Sequence, residues 1–194
     1  MKSLLLFPVF YIQIFICSAQ TFTYTAKALG INAGTLTVNK KTVNLVDFYQ
    51  FETHSEVDYL LGKIKVDHIT KASYKSGTLQ NAYVRNEKNG EVEYYSSTTY
   101  DGSRYETTTE KGKKTLNRAV NYSLAMIFFS EPAGKTEIFS ERLGEFVPIK
   151  KTGDHMYEVT LPDGDKYTYR YTDGKMVQMD VPSPVGRAHF YLNN

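Results

Sequence analysis

The sequence predicts a mainly β fold: a single antiparallel meander that forms a strongly curved sheet or an incompletely closed barrel, with one amphipathic helix packed on it. Three observations support this prediction. The 194 residues include 16 Tyr and 11 Phe but no Trp, and tyrosine and phenylalanine favour strands. Turn pairs that contain glycine recur at short intervals, as between the strands of a meander. A segment in the middle of the chain has apolar residues at helical spacing.

Strands are expected in order along the chain. Residues 21–29 alternate apolar and polar side chains, residues 30–34 form a glycine-bracketed turn, and residues 36–51 continue as a second alternating run. Asn89-Gly90 and Asp101-Gly102 are typical of two-residue hairpin turns, because both positions require a positive φ. Further turns are expected at 162–164 and 173–174. The strands predicted between these turns are 92–100, 103–110, 155–161, 166–172, 175–181 and 187–192.

The helix is predicted over residues 116–129, where Pro132 follows as a stop signal. Its apolar stripe consists of Leu116, Ala119, Val120, Ser123, Leu124, Ile127 and Phe128. Residues 56–61 are a weaker helical candidate that is equally compatible with a strand.

The first nineteen residues have the features of a cleaved signal peptide. Lys2 supplies a positive charge, residues 4–16 are mostly apolar, and small residues at Cys17 and Ala19 fit the −3 and −1 positions of a cleavage site. The apolar run is shorter than the roughly 20 residues that span a bilayer. We therefore expect no transmembrane span after cleavage; an uncleaved or lipidated anchor is the alternative.

This interpretation divides the chain into a signal peptide, 1–19, and a single β-rich domain, 20–194. Cys17 is the one cysteine of the sequence, so the domain would contain no disulfide. A cysteine-free exported domain favours a bacterial envelope protein over an animal secreted module. We expect export to the periplasm of a Gram-negative bacterium or release outside the cell.

The charge balance excludes one class of partner. The chain has 23 basic and 21 acidic residues and a net charge of +2, which does not suit a nucleic-acid-binding protein.

Catalytic and cofactor signatures are missing from the sequence. The histidines at 54, 68, 155 and 189 lack the spacing of a metal-binding pair, and neither a phosphate-binding loop nor a nucleophile elbow occurs. We therefore predict no catalytic residue, no cofactor and no metal site. Carboxylates on strands could still pair as glycosidase acids do; the candidates are Glu137, Glu141, Glu145 and Glu158.

Tyrosines are concentrated in two places. In the hairpin around Asp101-Gly102, a two-residue turn would place Thr98 opposite Tyr105, and both faces would be polar. Such a hairpin extends beyond the core or lines a wet cavity. Tyr167, Tyr169 and Tyr171 share one face of a strand, and we expect them to pack in the core.

Three stretches of the sequence carry a family resemblance: residues 29–38, 121–149 and 161–164. They resemble an uncharacterised family of exported bacterial envelope proteins, a domain of unknown function. The first and second stretches are also similar to a second envelope family of unknown function. The implied architecture is similar to that of outer-membrane lipoprotein carriers, in which helices cover a curved, incompletely closed antiparallel sheet.

The leading functional hypothesis is a non-enzymatic periplasmic binding or carrier domain for an apolar or lipid-like ligand. One alternative is a hydrolase that acts on envelope glycans or lipids through strand carboxylates. Another is a structural or assembly partner of an envelope protein, which would use exposed strand edges such as the 92–110 hairpin. The candidate ligand-binding residues are Tyr94, Tyr100, Tyr105, Leu124, Phe128 and Arg142.

Overall fold

The computed structural model describes residues 18–59 and 62–193. Within these residues the chain forms a single antiparallel sheet of fourteen strands, which confirms the predicted β class. Most of the predicted signal peptide lies outside the described residues. Strands β1 to β14 are Ser18–Ala28, Ile31–Val43, Val46–Tyr59, Gly62–Lys75, Thr78–Lys88, Glu91–Tyr100, Tyr105–Thr109, Gly112–Leu116, Glu137–Ser140, Glu145–Gly153, Met156–Thr160, Lys166–Thr172, Lys175–Ser183 and Gly186–Leu192.

The strand order is that of a meander with one long-range pairing. Chain neighbours pair from β1 to β8 and from β9 to β14, and β1 pairs with β14 in the interior of the sheet. The two edges are β8 and β9, which do not pair with each other, so the sheet is not closed. Residues 117–136, here called the connecting segment, join these two edges.

The sheet bends back on itself, as contacts between distant strands show. The Ser96 hydroxyl in β6 donates to the backbone oxygen of Glu141, which follows β9 (2.6 Å). Gly144, in the turn between β9 and β10, lies against the side chain of Thr107 in β7. Lys114 of β8 forms an ion pair with Glu145 of β10 (2.6 Å). These contacts bring the two ends of the sheet together without strand pairing.

The prediction of a helix over residues 116–129 is wrong. Leu116 ends β8, and regular structure in the remainder is limited to a 3-10 turn, Leu124–Met126. Backbone groups that a helix would use internally bond to the sheet instead: the Leu79 N–H donates to Val120 O (2.9 Å), and the Phe139 N–H donates to Tyr122 O (3.3 Å). The other helical candidate, 56–61, belongs to β3 as far as Tyr59.

The connecting segment nevertheless lies where the helix was expected, against the sheet. Val120, Ile127 and Phe128 are buried, but so are Tyr122 and Ala125, which lie outside the predicted stripe. The segment is therefore buried on more than one side, and its helical spacing of apolar residues does not reflect a single buried face. Among the described residues, no helix combines the length and the apolar character needed to cross a membrane.

The two hairpin turns predicted at Asn89-Gly90 and Asp101-Gly102 differ from each other in the structure. Asn89-Gly90 has φ values of 53° and 85° and joins β5 directly to β6, as predicted. Asp101-Gly102 is instead part of a four-residue loop, because the Asp101 side chain accepts hydrogen bonds from the backbone N–H groups of Ser103 (2.8 Å) and Arg104 (2.9 Å). Thr98 consequently lies opposite Thr107 and not Tyr105.

The buried side chains form two neighbouring apolar clusters. The larger one includes the tyrosine stripe of β12, in which Tyr169 and Tyr171 are buried and Tyr169 pairs with Tyr157 of β11. The smaller one surrounds Tyr74, Leu79 and Tyr105. Side chains of the connecting segment take part in both clusters, so this segment forms part of the core on the inner face of the bent sheet.

Candidate ligand-binding cavity

A cavity of about 370 Å³ lies between the inner face of the sheet and the connecting segment. Its apolar wall comes from alternate positions of the strands, which point to the same face, and from the 3-10 turn region. The apolar lining residues are Leu36, Phe51, Val66, Val84, Leu124, Ile127, Phe128, Leu161, Met179, Val181, Pro182, Pro184 and Phe190.

Polar side chains from β4, β5 and β6 form one part of the lining. Thr70 lies 3.0 Å from His68 Nε2, and Asn86 Oδ1 lies 3.2 Å from His68 Nδ1. The Asn86 amide nitrogen donates to Glu93 (2.9 Å), which fixes the orientation of the amide and leaves its oxygen toward His68. His68 Nδ1 therefore carries the hydrogen, and Nε2 accepts from the Thr70 hydroxyl.

This histidine is held in its neutral form. Burial lowers the pKa of His68 to about 4, and the nearby positive charge of Arg142 acts in the same direction. The ring also stacks on Phe51, with 5.5 Å between the ring centroids. His68 is therefore a neutral, polar part of the cavity wall at neutral pH.

Arg142 lies in the same wall, in the turn that follows β9. Its guanidinium carbon lies 4.1 Å from the centroid of the Tyr94 ring, within the range of a cation–π contact. Burial raises the pKa of the Tyr167 hydroxyl, and the charge of Arg142 beside it acts in the opposite direction. Arg142 thus lies among aromatic side chains from β6 and β12.

Glu141, next to Arg142 in the chain, is buried and also lines the cavity. Its Oε1 accepts hydrogen bonds from the Ser123 hydroxyl and from the Ala125 N–H (3.0 Å). The Tyr74 hydroxyl donates in turn to Ser123 Oγ (2.5 Å). Burial raises the pKa of the Glu141 carboxyl to about 7, although these donors favour its ionised form. The carboxyl group joins the connecting segment to the β9–β10 turn.

The structure brings four of the six predicted ligand-binding residues together. Tyr94, Leu124, Phe128 and Arg142 all line the cavity. Tyr105 is buried in the smaller apolar cluster, where its hydroxyl donates to Leu79 O (3.2 Å). Tyr100 packs on the Tyr105 ring at 4.8 Å between centroids. These two tyrosines lie outside the cavity.

Other residues of the site were not singled out from the sequence. In the sequence, His68 lacks the spacing of a metal-binding pair, Glu141 is one of four candidate strand carboxylates, and Asn86 belongs to no motif. A single sequence carries a weak signal for them, because their environment arises from strands that are distant along the chain. For His68 the available signal was its place in an alternating strand, two residues from Val66 and Thr70.

The four carboxylates that were candidates for hydrolysis do not share one site. Glu141 alone among them lines the cavity. Glu137 forms an ion pair with Arg118, Glu145 with Lys114, and Glu158 with Lys150 and Lys166. In the described part of the chain, no cluster of three or more His, Cys, Asp or Glu side chains has a geometry that could hold a metal ion.

Comparison with known proteins identifies the family but no activity. The chain matches the model of a family described as a domain of unknown function, DUF6134, over residues 24–193. The comparison with curated proteins and the comparison with solved structures each found no match. The matched region extends from β1 to the end of β14, which is most of the chain. The chain therefore belongs to this family of unknown function, DUF6134.

Proposed function

We propose that the protein is an exported, non-enzymatic binding or carrier domain that holds one apolar, lipid-like ligand in the cavity. The observation that supports this function is the cavity of about 370 Å³, walled by apolar side chains of the sheet and of the connecting segment. Small-molecule sites are commonly of about 300–1,000 Å³, mostly apolar, with a few polar groups at fixed positions. The cavity has this composition.

The volume limits the size of the ligand. At about 30 Å³ for each water-sized group, it holds on the order of ten methylene groups. Burial of one methylene contributes about 0.8 kcal/mol, so ten contribute about 8 kcal/mol before the cost of ordering the ligand. Since that cost is several kcal/mol, we expect micromolar or weaker binding for a chain of this length.

Export is part of the same proposal, and the position of Ala19 is compatible with it. Residues Ser18, Ala19 and Gln20 are exposed at the start of β1, whereas Tyr24 is the first fully buried residue of that strand. Of the residues that cleavage after Ala19 would remove, the two that the structure describes, Ser18 and Ala19, lie outside the core. A carrier of this kind would act on lipids of the bacterial envelope.

A neutral fluorescent probe tests whether the cavity binds apolar molecules. N-phenyl-1-naphthylamine should bind with one-site saturation, and its emission should rise because the site is apolar. Val181 lines the cavity, so Val181→Phe should weaken probe binding at least tenfold. Val92 is exposed, 47% of its surface being accessible, and lies outside the cavity. Val92→Phe adds the same group there and serves as the matched control.

Two results would contradict the proposal. The first is a protein that shows no saturable probe binding. The second is equal binding by both variants, which would place the probe outside the cavity. Thermal unfolding of each variant verifies that loss of binding does not come from loss of the fold.

A further inference from the structure

The cavity contains a cation that its own surroundings do not neutralise. Arg142 lines the cavity, and the ion pairs formed among the described residues do not include it. Of the other arginines, Arg85, Arg104 and Arg118 each have a carboxylate partner, whereas Arg170 and Arg187 are exposed to solvent. Arg142 is half-buried beside the apolar wall, and a charged group that loses part of its water there is stabilised by an anionic partner, so the position of Arg142 favours an anionic occupant.

Two carboxylates share the cavity, and both are engaged elsewhere. Glu93 accepts a hydrogen bond from Asn86 (2.9 Å) and lies 3.7 Å from Lys88. Glu141 accepts from Ser123 and from the Ala125 N–H. Their partners hold these two carboxylates in place, so the N–H donors of Arg142 that do not contact Tyr167 remain for a ligand.

A hydroxyl group beside Arg142 is also available as a donor. Tyr94 OH lies 3.4 Å from His68 Nδ1, which already carries the hydrogen that it donates to Asn86. This Nδ1–H can only donate, so the Tyr94 oxygen can accept from it, and the Tyr94 hydroxyl hydrogen is left to point to a ligand. Arg142 and Tyr94 together form a pair of donors, held side by side by the cation–π contact between the guanidinium and the ring.

We infer that the ligand is an amphiphile with a single apolar chain and an oxyanion head, either a carboxylate or a phosphate, and that Arg142 and Tyr94 bind this head. The planar guanidinium matches the oxygens of both groups. The apolar chain extends along the wall formed by Phe51, Leu124 and Phe128. This inference rests on the proposed function and specifies its ligand class.

Displacement of N-phenyl-1-naphthylamine by four dodecyl compounds, each below its micellar concentration, tests the head group. Dodecanoate and dodecyl phosphate should displace the probe at concentrations at least tenfold lower than dodecanol and dodecyltrimethylammonium. Arg142→Met retains the length and the apolar stem of the side chain. It should abolish the advantage of the two anions and leave dodecanol binding within about twofold. Arg170→Met, an exposed change outside the cavity, should alter nothing.

The outcomes separate this inference from the proposed function. Equal binding of dodecanol and both anions would overturn the head-group inference and leave the apolar cavity as proposed. An anion preference that survives in Arg142→Met would overturn the assignment to Arg142. Failure of all four compounds and of the probe would overturn both proposals. A preference of the unmodified protein for dodecanoate over dodecyl phosphate, or the reverse, identifies the head as carboxylate or phosphate.

Discussion

Glu141 combines full burial with hydrogen bonds from neutral donors, and this determines how its protonation affects stability. The groups around it are the Ser123 hydroxyl, the Ala125 N–H and, beyond Ser123, the Tyr74 hydroxyl, while Arg142 lines the same cavity. Burial raises the pKa of the carboxyl from 4.5 to about 7. The folded state therefore binds this proton more tightly than the unfolded state.

It follows that the contribution of Glu141 to stability is fully present below about pH 4.5 and is lost as the pH rises to about 7. A change of this size corresponds to about 3 kcal/mol, at about 1.4 kcal/mol per pKa unit. Glu141→Gln removes the titration but keeps an oxygen acceptor. Relative to the unmodified protein, this variant should gain about 3 kcal/mol of unfolding free energy between pH 4.5 and pH 8.

Urea unfolding at several pH values in this range measures the effect as a difference between the two proteins. His68 acts in the opposite direction, because its lowered pKa costs stability as the pH falls from 6.5 toward 4. Since both proteins contain His68, its effect cancels in the difference. Glu145→Gln, at an exposed ion pair with Lys114, is the control. A difference that does not change with pH would show that Glu141 does not titrate in this range.

At the scale of elements, the β9–β10 turn packs closely on β7, and this close packing requires a glycine in the turn. Gly144 has a φ of 65°, and a Cβ there would lie 2.5 Å from Thr107 Cγ2. Gly134 has a similar φ of 71°, but a Cβ there would meet nothing within 4 Å. Both positions strain an L-residue by about 1–2 kcal/mol, whereas overpacking adds about 1–3 kcal/mol at Gly144 alone.

Gly144→Ala should therefore reduce the free energy of unfolding by about 1–3 kcal/mol more than Gly134→Ala does. Chemical denaturation of the two variants under one condition measures this difference. Because Arg142 lies two residues before Gly144, Gly144→Ala should also weaken the binding of dodecanoate, and Gly134→Ala should not. Equal stability of the two variants would mean that the turn can move away from β7 at little cost.

The elements that could be predicted from the sequence are those with local signals. Strand β12 was predicted over 166–172, as observed, because glycine turns precede and follow it. The run over 36–51, in contrast, divides into β2 and β3 at Asn44-Leu45, whose φ values are 51° and 63°. Leucine is not typical of such a turn. Leu45 is 85% exposed, so burial does not explain its position, and the turn is closed by the pairing of Val43 with Val46 on either side of it.

The conformation of the connecting segment, in contrast, could not be predicted from local signals in the sequence. Its conformation depends on hydrogen bonds to Leu79 and Phe139, which lie on strands at different places in the sheet. Apolar spacing in one sequence does not reveal such partners, and a helix was the simplest interpretation of the pattern. The site could be predicted in part, because apolar spacing does indicate which residues are buried. Leu124 and Phe128 were expected to cover the sheet, and they line the cavity although no helix forms.

At the scale of the whole molecule, the pairing of β1 with β14 spans more residues along the chain than any other strand pairing among the described residues. The buried Tyr24 hydroxyl donates to Met176 O (2.9 Å), which connects β1 to β13 across 152 residues. The buried Tyr105 hydroxyl donates to Leu79 O (3.2 Å) across 26 residues. Loop-closure entropy delays contacts of long range during folding, so local pairings should form before the β1–β14 pairing.

The two tyrosines test this order. Tyr24→Phe removes one buried hydrogen bond and should cost about 1–2 kcal/mol. Tyr105→Phe removes two, since the Tyr105 hydroxyl also accepts from the Val120 N–H (3.3 Å), and should cost at least as much. Tyr24→Phe should mainly increase the unfolding rate, by about five- to thirtyfold, and should change the folding rate little. Tyr105→Phe should slow folding as well. Stopped-flow kinetics in urea measures both rates, and slower folding of Tyr24→Phe alone would contradict this order.

The order of strands across the sheet is a circular permutation of their order along the chain. Asn193 N donates to Thr23 O (2.9 Å), so a short linker could join the end of β14 to the start of β1. A chain reopened within the connecting segment would then run β9 to β14 and β1 to β8. In it, every strand pair would be a pair of sequence neighbours. Such a permutant would keep each pairing of the sheet and exchange its one distant pairing for a hairpin.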